Sequence, residues 1–393
     1  MSRGDVYIGL GSNLDGPTEQ VRSAVRELGQ LAQVRLCASS GLYRSPPMGE
    51  LDQPDYINAV VQIETDLEPE QLLHELQAIE RQHGRKEQRE RWASRTLDLD
   101  LLLWGQERFD SKVLTLPHPG LHERAFVLAP LQELDANLEV PGRGTVSKLL
   151  RECKYSRVDR VGACQSLPDS ARLIAVEGPI GVGKTTLCNR LAADFNGRLI
   201  LENYQDNPFL KDFFEAPEKT ALATQLHFLT SRACQLQQLN QVDLFQQRTF
   251  SDYVFEKSDW FSRLSLQGDE YDLWLSLYTH MSAGLPRPDL VIYLQAPVSV
   301  LLERIAMRGR SFERAVRPEF LEALSALMAE HFRNYSGTVL TVDTSCANLT
   351  ESLQDYQSLL VALDGMTQPG QYFLDPSQPE GMLDDMAPAD SMT

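Results

Sequence analysis

Hydrophobic positions along the chain change period from stretch to stretch, and the changes mark out elements. Val6-Tyr7-Ile8-Gly9-Leu10-Gly11-Ser12-Asn13 reads as a buried strand ending in a turn, and residues 17–31 then carry Val21, Val25 and Leu28 at helical spacing. A β-rich pattern follows and ends near Ser45-Pro46-Pro47-Met48-Gly49. A second strand spans about Tyr56 to Glu64, and Pro69 opens a helix that runs to about His83. After a charged loop over residues 84–95, the chain from Thr96 reads as another strand. Alternation along that strand puts Asp98 and Asp100 on one face, roughly 6–7 Å apart, and Leu97, Leu99 and Leu101 on the other. The order β-α-β-β-α-β predicts an α+β, ferredoxin-like domain.

Between Tyr155 and Ser170 the pattern fades into Gly162, Ser166, Pro168 and Ser170, which reads as a linker. A new strand, Arg172 to Glu177, runs into Gly178-Pro179-Ile180-Gly181-Val182-Gly183-Lys184-Thr185-Thr186 and then an amphipathic helix with Leu187 and Leu191. This is G-x-x-x-x-G-K-T between a strand and a helix, the context a phosphate-binding P-loop requires. Gly178, Gly181 and Gly183 let backbone N–H groups curl around phosphates at the helix N-terminus. Lys184 reaches the β- and γ-phosphates, Thr185 can hold Mg²⁺, and Thr186 continues the loop. The strand Arg198-Leu199-Ile200-Leu201 delivers Glu202 to its C-terminal end, where open α/β sheets bind ligands. Pro288 to Leu294 is a further buried strand, leading to a helix that ends in Arg304-Ile305-Ala306-Met307-Arg308-Gly309-Arg310. These arginines fit a lid over phosphate, and they fit equally a solvated cationic helix end.

Composition narrows the function. The chain has 393 residues, 42% hydrophobic and 23% charged, enough for two or three domains with real cores. A net charge of −18 argues against nucleic acid or an anionic membrane as the main partner, yet leaves room for small phosphate ligands held by local donors. Six scattered cysteines without a C-x-x-C pair fit a reducing compartment. No signal-like segment precedes the first strand and no apolar run approaches about 18 residues, so a cytoplasmic protein is expected. The Asp98/Asp100 pair suits hard divalent cations that hold phosphate oxygens, and Arg91 and Arg95 supply forked donors beside it. D-x-D alone also fits an edge strand with a solvated acidic face.

The first 150 or so residues resemble the 6-hydroxymethyl-7,8-dihydropterin pyrophosphokinases of folate biosynthesis. The blocks that carry the resemblance are Gly11-Ser12-Asn13, Tyr43-Arg44-Ser45-Pro46-Pro47, Asp52 to Ala59, Glu80 to Arg85, Arg91-Trp92, Arg95 to Asp100, and Pro117-His118. The resemblance implies pyrophosphoryl transfer from ATP to a pterin hydroxymethyl group, with Asp98 and Asp100 holding Mg²⁺. It implies ATP contacts at Arg85, Arg95, His118 and Arg124, of which Arg85 and Arg95 serve the chemistry. It also implies a pterin pocket of Ser45, Pro46, Tyr56, Asn58, Trp92 and Phe126. Glu87 stands where some relatives carry an arginine.

The stretch from Gly178 onward resembles the deoxynucleoside kinases. The resemblance rests on the P-loop, Leu201-Glu202-Asn203 with Asp206 to Leu210, Gln225 with Ser231-Arg232, and Arg304 with Arg308-Gly309-Arg310 and Glu313. It implies an α/β P-loop kinase domain with a parallel sheet, and 5′-phosphorylation of a deoxynucleoside. Glu202 would be the general base, Lys184 would serve the transfer, Arg308 and Arg310 would bind ATP, and Gln225 and Arg232 would contact the nucleoside. In Ser251-Asp252-Tyr253, Asp252 replaces the family's arginine, and Lys257 falls where the family has a base-reading aspartate. The domains expected are 1–158, a linker 159–170, 171–364, and a disordered acidic tail 365–393. A homodimer through the C-terminal domain is implied by the resemblance. A nucleotide-binding regulatory or dimerisation module, or a kinase with another acceptor, is the alternative for the second half.

Overall fold

The computed structural model describes residues 5–47, 53–85, 94–153, 157–213, 217–239, 248–310, 313 and 315–376. Glu87, Arg91, Trp92 and residues 377–393 lie outside them. The chain falls into two compact units, Met1–Ser166 and Leu167–Thr393.

In the first unit β1 (Val6–Ser12) leads to α1 (Pro17–Gln30), whose Pro17 opens the helix and whose Val21, Ala24, Val25 and Leu28 form one buried face. Where one strand was expected before Ser45, two stand: β2 (Val34–Ser39) and β3 (Leu42–Ser45). The break has a cause. Ser40 Oγ accepts the Val60 N–H and the Gly41 N–H donates to Glu133, so side chains take these bonds out of the ladder. β4 (Tyr56–Thr65) precedes α2 (Pro69–Gln82), which opens on a capping box between Glu68 and Gln71.

β5 (Asp98–Trp104) begins at the first carboxylate rather than at Thr96. A small hairpin of β6 (Phe109–Asp110) and β7 (Thr115–Leu116) follows. Then come α3 (Ala125–Leu134), a second hairpin of β8 (Glu139–Val140) and β9 (Gly144–Thr145), α4 (Val146–Glu152) and β10 (Asp159–Gly162).

The main sheet of this unit is antiparallel, in the order β10-β3-β4-β1-β5 with β2 also on β4. Ile8 and Leu10 of β1, and Leu99 and Leu101 of β5, face α1 and α2 across one core. Tyr7, Val60 and Leu102 face α3 and α4 across the other. β10 corrects the expected linker. Residues 159–162 pair with β3, and Arg22 donates to the carbonyls of Ala163 and Cys164, so this segment is built into the first unit.

The second unit runs β11 (Leu173–Glu177), α5 (Lys184–Asp194), β12 (Arg198–Ile200), α6 (Leu210–Phe213), α7 (Pro217–Leu239) and β13 (Thr249–Ser251). It continues with α8 (Lys257–Ser265), α9 (Gly268–Ser282), β14 (Leu290–Gln295), α10 (Val298–Arg308) and α11 (Pro318–Arg333). β15 (Thr338–Asp343), α12 (Leu353–Gly365) and β16 (Gln371–Leu374) complete it. The sheet is parallel throughout, in the order β12-β13-β11-β14-β15-β16. Helices on both faces explain why β11 and the stretch Leu290–Leu294 of β14 are buried without alternation. The strand order reverses at β11, which opens a crevice at the carboxyl ends of β11 and β13. β16 corrects the expected tail. Met366, Tyr372 and Leu374 are buried and residues 371–374 pair with β15, so the fold reaches past 365 at least to Leu374.

Candidate active sites

The first site grows from the register of three strands. Gly11 of β1 lies opposite Asp98 of β5 on one side and Asn58 of β4 on the other, and Gly9 lies opposite Asp100. Residues opposite each other share a face, so the two carboxylates look across a floor without side chains. A Cβ on Gly11 would sit 3.4 Å from Asn58 Oδ1 and begin to fill that space. The cavity above the floor measures about 200 Å³ and is lined by Ser45, Pro46, Tyr56, Asn58, Arg95, Asp98, Asp100, His118, Arg124 and Phe126 among others. Arg85 stands beside it, 3.4 Å from Asp98 Oδ1. Every predicted first-site residue among the described ones is therefore brought together, and Trp92 lies outside them.

The polar contacts say what this cavity suits. Arg95 pairs with Asp98, and Arg124 places Nη1 3.4 Å from Asp100 Oδ2 and Cζ 5.9 Å from the Phe126 ring centroid. Burial first, and then the neighbouring Asp98, push the Asp100 carboxyl up. Burial holds the His118 imidazole down, against the pull of Asp100. The Gly120 N–H donates to His118 Nδ1, so a neutral ring keeps its proton on Nε2, 4.0 Å from Asp100 Oδ2. Buried Asn58 donates to the Tyr43 carbonyl and to Ser45 Oγ at 3.0 Å, which fixes its amide against the cavity wall.

Two residues of this site escaped the reading of the sequence. Glu80 is buried, accepts the Leu99 N–H at 2.9 Å and pairs with Arg85. It thus ties α2 to β5 and aims Arg85 at Asp98. The Asn13 side chain accepts the Arg95 N–H at 2.8 Å and donates to Ser94, Pro54 and Gln53, while the Asn13 backbone N–H donates to the Arg95 carbonyl. Both stand in the matching blocks, yet only their contacts assign them a task.

The second site forms where β11 hands over to α5. Gly178, Gly181 and Gly183 all have positive φ, and a Cβ on Gly178 would lie 2.3 Å from the Leu294 carbonyl oxygen. Lys184 opens α5 and its ammonium donates to the Gly178 and Pro179 carbonyls at 2.7 and 3.0 Å. Burial first, and then the nearby Lys257, bring that ammonium down to about 8. Thr185 Oγ1 donates to Asp252 Oδ2 at 2.5 Å, and Asp252 Oδ1 accepts the Glu202 N–H at 2.7 Å. Glu202 is held twice: Arg232 forks onto Oε1, and Lys257 donates to Oε2 at 2.7 Å. Burial would raise its carboxyl, but Lys257 and Arg232 outweigh that and hold it far below the usual range.

A cavity of about 220 Å³ lies over these groups, and Gly181, Gly183, Thr186, Gln225, Arg308 and Arg310 also line it. Gln225 Nε2 donates to Ser265, while Gln225 Oε1 is buried with no partner among the described residues. Arg308 and Arg310 are held by Glu313, and Arg310 also stacks 4.3 Å over Tyr204. Arg304 departs from the expected lid. It donates to Thr344 and to the Ala347 carbonyl, fastening α10 to the chain after β15. Gly178 shapes the loop without lining the cavity. Asp252 and Lys257, which the sequence showed only as departures from a pattern, sit at the centre of the site.

Among the described residues no group of three or more His, Cys, Asp or Glu is placed to hold a metal ion, and no helix is long and apolar enough to cross a membrane. Among the described residues, Cys37, Cys188, Cys234 and Cys346 are in no disulfide.

The family model for 7,8-dihydro-6-hydroxymethylpterin-pyrophosphokinase (HPPK) matches residues 7–136, and that for deoxynucleoside kinase matches residues 174–366. The 2-amino-4-hydroxy-6-hydroxymethyldihydropteridine pyrophosphokinase of Haemophilus influenzae is 47% identical over 146 residues, covering 37% of this chain and 91% of that protein. The deoxyguanosine kinase of Bacillus subtilis is 31% identical over 197 residues, covering 49% of this chain and 95% of that protein. A solved structure of deoxyadenosine kinase from M. mycoides is 21% identical at a TM-score of 0.42, covering 48% of this chain and 97% of that one.

Proposed function

The chain belongs to the pterin pyrophosphokinase (HPPK) family through its first part and to the deoxynucleoside kinase family through its second, and from that footing we propose how its two cavities work. It is a fused enzyme: a pyrophosphokinase of folate synthesis joined to a nucleoside kinase. The sheet order of the first unit fits the ferredoxin-like reading, with β2 and β3 sharing the place of one strand.

In the first site the acceptor is 6-hydroxymethyl-7,8-dihydropterin and the donor is ATP. Two carboxylates on one face, partly buried and in reach of a phosphate-sized space, fit Mg²⁺, which takes few protein ligands and shares the rest with phosphate oxygens. When bound, the ion supplies charge neutralisation and a template for those oxygens. Arg85, Arg95 and Arg124, now spent on Asp98 and Asp100, turn to the phosphates, and His118 Nε2 donates there too. Asn58 and Ser45 hold the polar edge of the pterin, and Tyr56 and Phe126 flank its plane. The observation that carries this reading is the carboxylate pair facing Asn58 across the Gly9/Gly11 floor. Its test is AMP formation from ATP and the pterin: Asp98→Ala should lower turnover at least about 10²-fold. A variant that still forms AMP at the native rate would remove the metal role.

In the second site the P-loop and Lys184 bind the phosphates of ATP, and Thr185 together with Asp252 fits Mg²⁺. Glu202 accepts the proton of the acceptor hydroxyl, Gln225 reads the base with its unpaired oxygen, and Arg232 fixes Glu202 beside the sugar. Incubation of the full chain with ATP and each of the four deoxynucleosides tests this half, and a 5′-monophosphate is the expected product.

A further inference from the structure

The second cavity gathers five cationic side chains, Lys184, Arg232, Lys257, Arg308 and Arg310, against three carboxylates, Glu202, Asp252 and Glu313. Four of the cations have clear partners there: Lys184 the loop carbonyls, Arg232 Glu202 and Ser258, Arg308 and Arg310 Glu313. Lys257 is different. The residue is 6% exposed, and its ammonium has three N–H bonds to place and makes one hydrogen bond among the described residues, to Glu202 Oε2. The Phe261 ring centroid lies 6.0 Å away, and the ammonium repels Lys184 across the same cavity. A buried ammonium short of acceptors is costly unless a ligand supplies them. Its one partner, Oε2, is also the Glu202 oxygen that Arg232 leaves for the acceptor hydroxyl.

We propose that Lys257 is a catalytic residue of the nucleoside kinase site, whose ammonium bridges Glu202 and the phosphoryl group in transit. The proposal rests on the kinase reading of this unit. In the step, the acceptor hydroxyl oxygen bonds to the γ-phosphorus as the bond from that phosphorus to the β,γ-bridging oxygen breaks. The proton passes to Glu202 Oε2, and ADP leaves with the electron pair. As that oxygen takes up the proton, its hold on Lys257 weakens, and the spare N–H bonds meet the equatorial phosphoryl oxygens where negative charge builds. Asp252 is an anion and cannot supply positive charge there; Lys257 does so from five residues further on.

The test uses the full chain, ATP and the best deoxynucleoside substrate, with Lys257→Met and Lys257→Arg measured beside the native protein. Lys257→Met should lose about 10²–10³-fold in kcat with KM for both substrates changed much less, and Lys257→Arg should recover at least tenfold of that loss. Thermal melting of each variant, with the transition of the second unit at its native place, establishes that it is folded. Native kcat in a folded Lys257→Met, or a loss confined to nucleoside KM, would overturn the proposal while leaving the kinase reading intact. A folded native chain that phosphorylates no deoxynucleoside would overturn both. If Lys257→Met does not fold, Lys257→Arg decides: with its charge kept, a kcat as low as background would overturn the bridging role.

Discussion

Glu80 shows how a residue outside the chemistry controls it. One carboxylate oxygen accepts the Leu99 N–H, between Asp98 and Asp100 on β5, and the same group pairs with Arg85. Burial pushes its carboxyl up, yet the bonds from Leu99 and Arg85 oppose that. Glu80→Ala leaves a buried N–H without an acceptor, at a cost of about 1–3 kcal/mol, and frees Arg85 from its aim. The expected outcome is a lower midpoint in urea and a higher KM for ATP in pterin-dependent AMP formation, with pterin KM little changed. A variant with native midpoint and native ATP KM would show that the contact contributes nothing. Asp98, Asp100 and the P-loop residues stood out in the sequence as candidates because their types and spacings are tied to a chemistry, while Asn58 was named only through the family resemblance. Glu80 and Asn13 were not, because a carboxylate on a helix and an amide in a turn have many uses until their partners are known. Lys257 was legible only as an anomaly, and its place against Glu202 turns the anomaly into a function.

At the scale of elements, long periodic stretches were read well and short strands poorly. α1, α2, β1 and β4 follow from period and capping, since a helix of fourteen residues repeats its pattern often enough to be recognised. β10 and β16 have four residues each, too few for a period to show, and both sit at sheet edges among Gly, Pro and polar neighbours. They exist because a neighbouring strand offers a free edge: β3 to β10 and β15 to β16. β16 buries Tyr372 and Leu374 and closes the parallel sheet. A chain ending after Gly365 should therefore melt several degrees below one ending after Pro376, as expected for a loss of about 2 kcal/mol or more. Equal melting of the two would mean that β16 adds nothing to the sheet.

For the whole molecule, the two cavities are built from separate sets of residues, each within its own unit. They solve the same problem differently, one with a carboxylate pair and converging arginines, the other with a backbone nest. Two enzymes in one chain predict separable losses. Glu202→Ala should abolish deoxynucleoside phosphorylation, keep ATP binding by the P-loop, and leave pterin-dependent AMP formation within twofold of native. If instead native phosphorylation is absent and P-loop ligands shift the pterin reaction, the second unit is a regulatory module. The sequence by itself determined the two families, the order of the main elements, and the residues whose chemistry is inseparable from local spacing, because strand alternation and the strand–loop–helix phosphate nest are short-range geometry. Only the tertiary structure decided which side chains share a charge. It brought Gly11 between Asp98 and Asn58, Glu80 under Leu99, and Lys257 onto Glu202 across 55 positions of chain. Such pairings depend on strand register and helix packing, which long-range burial sets and no local pattern records.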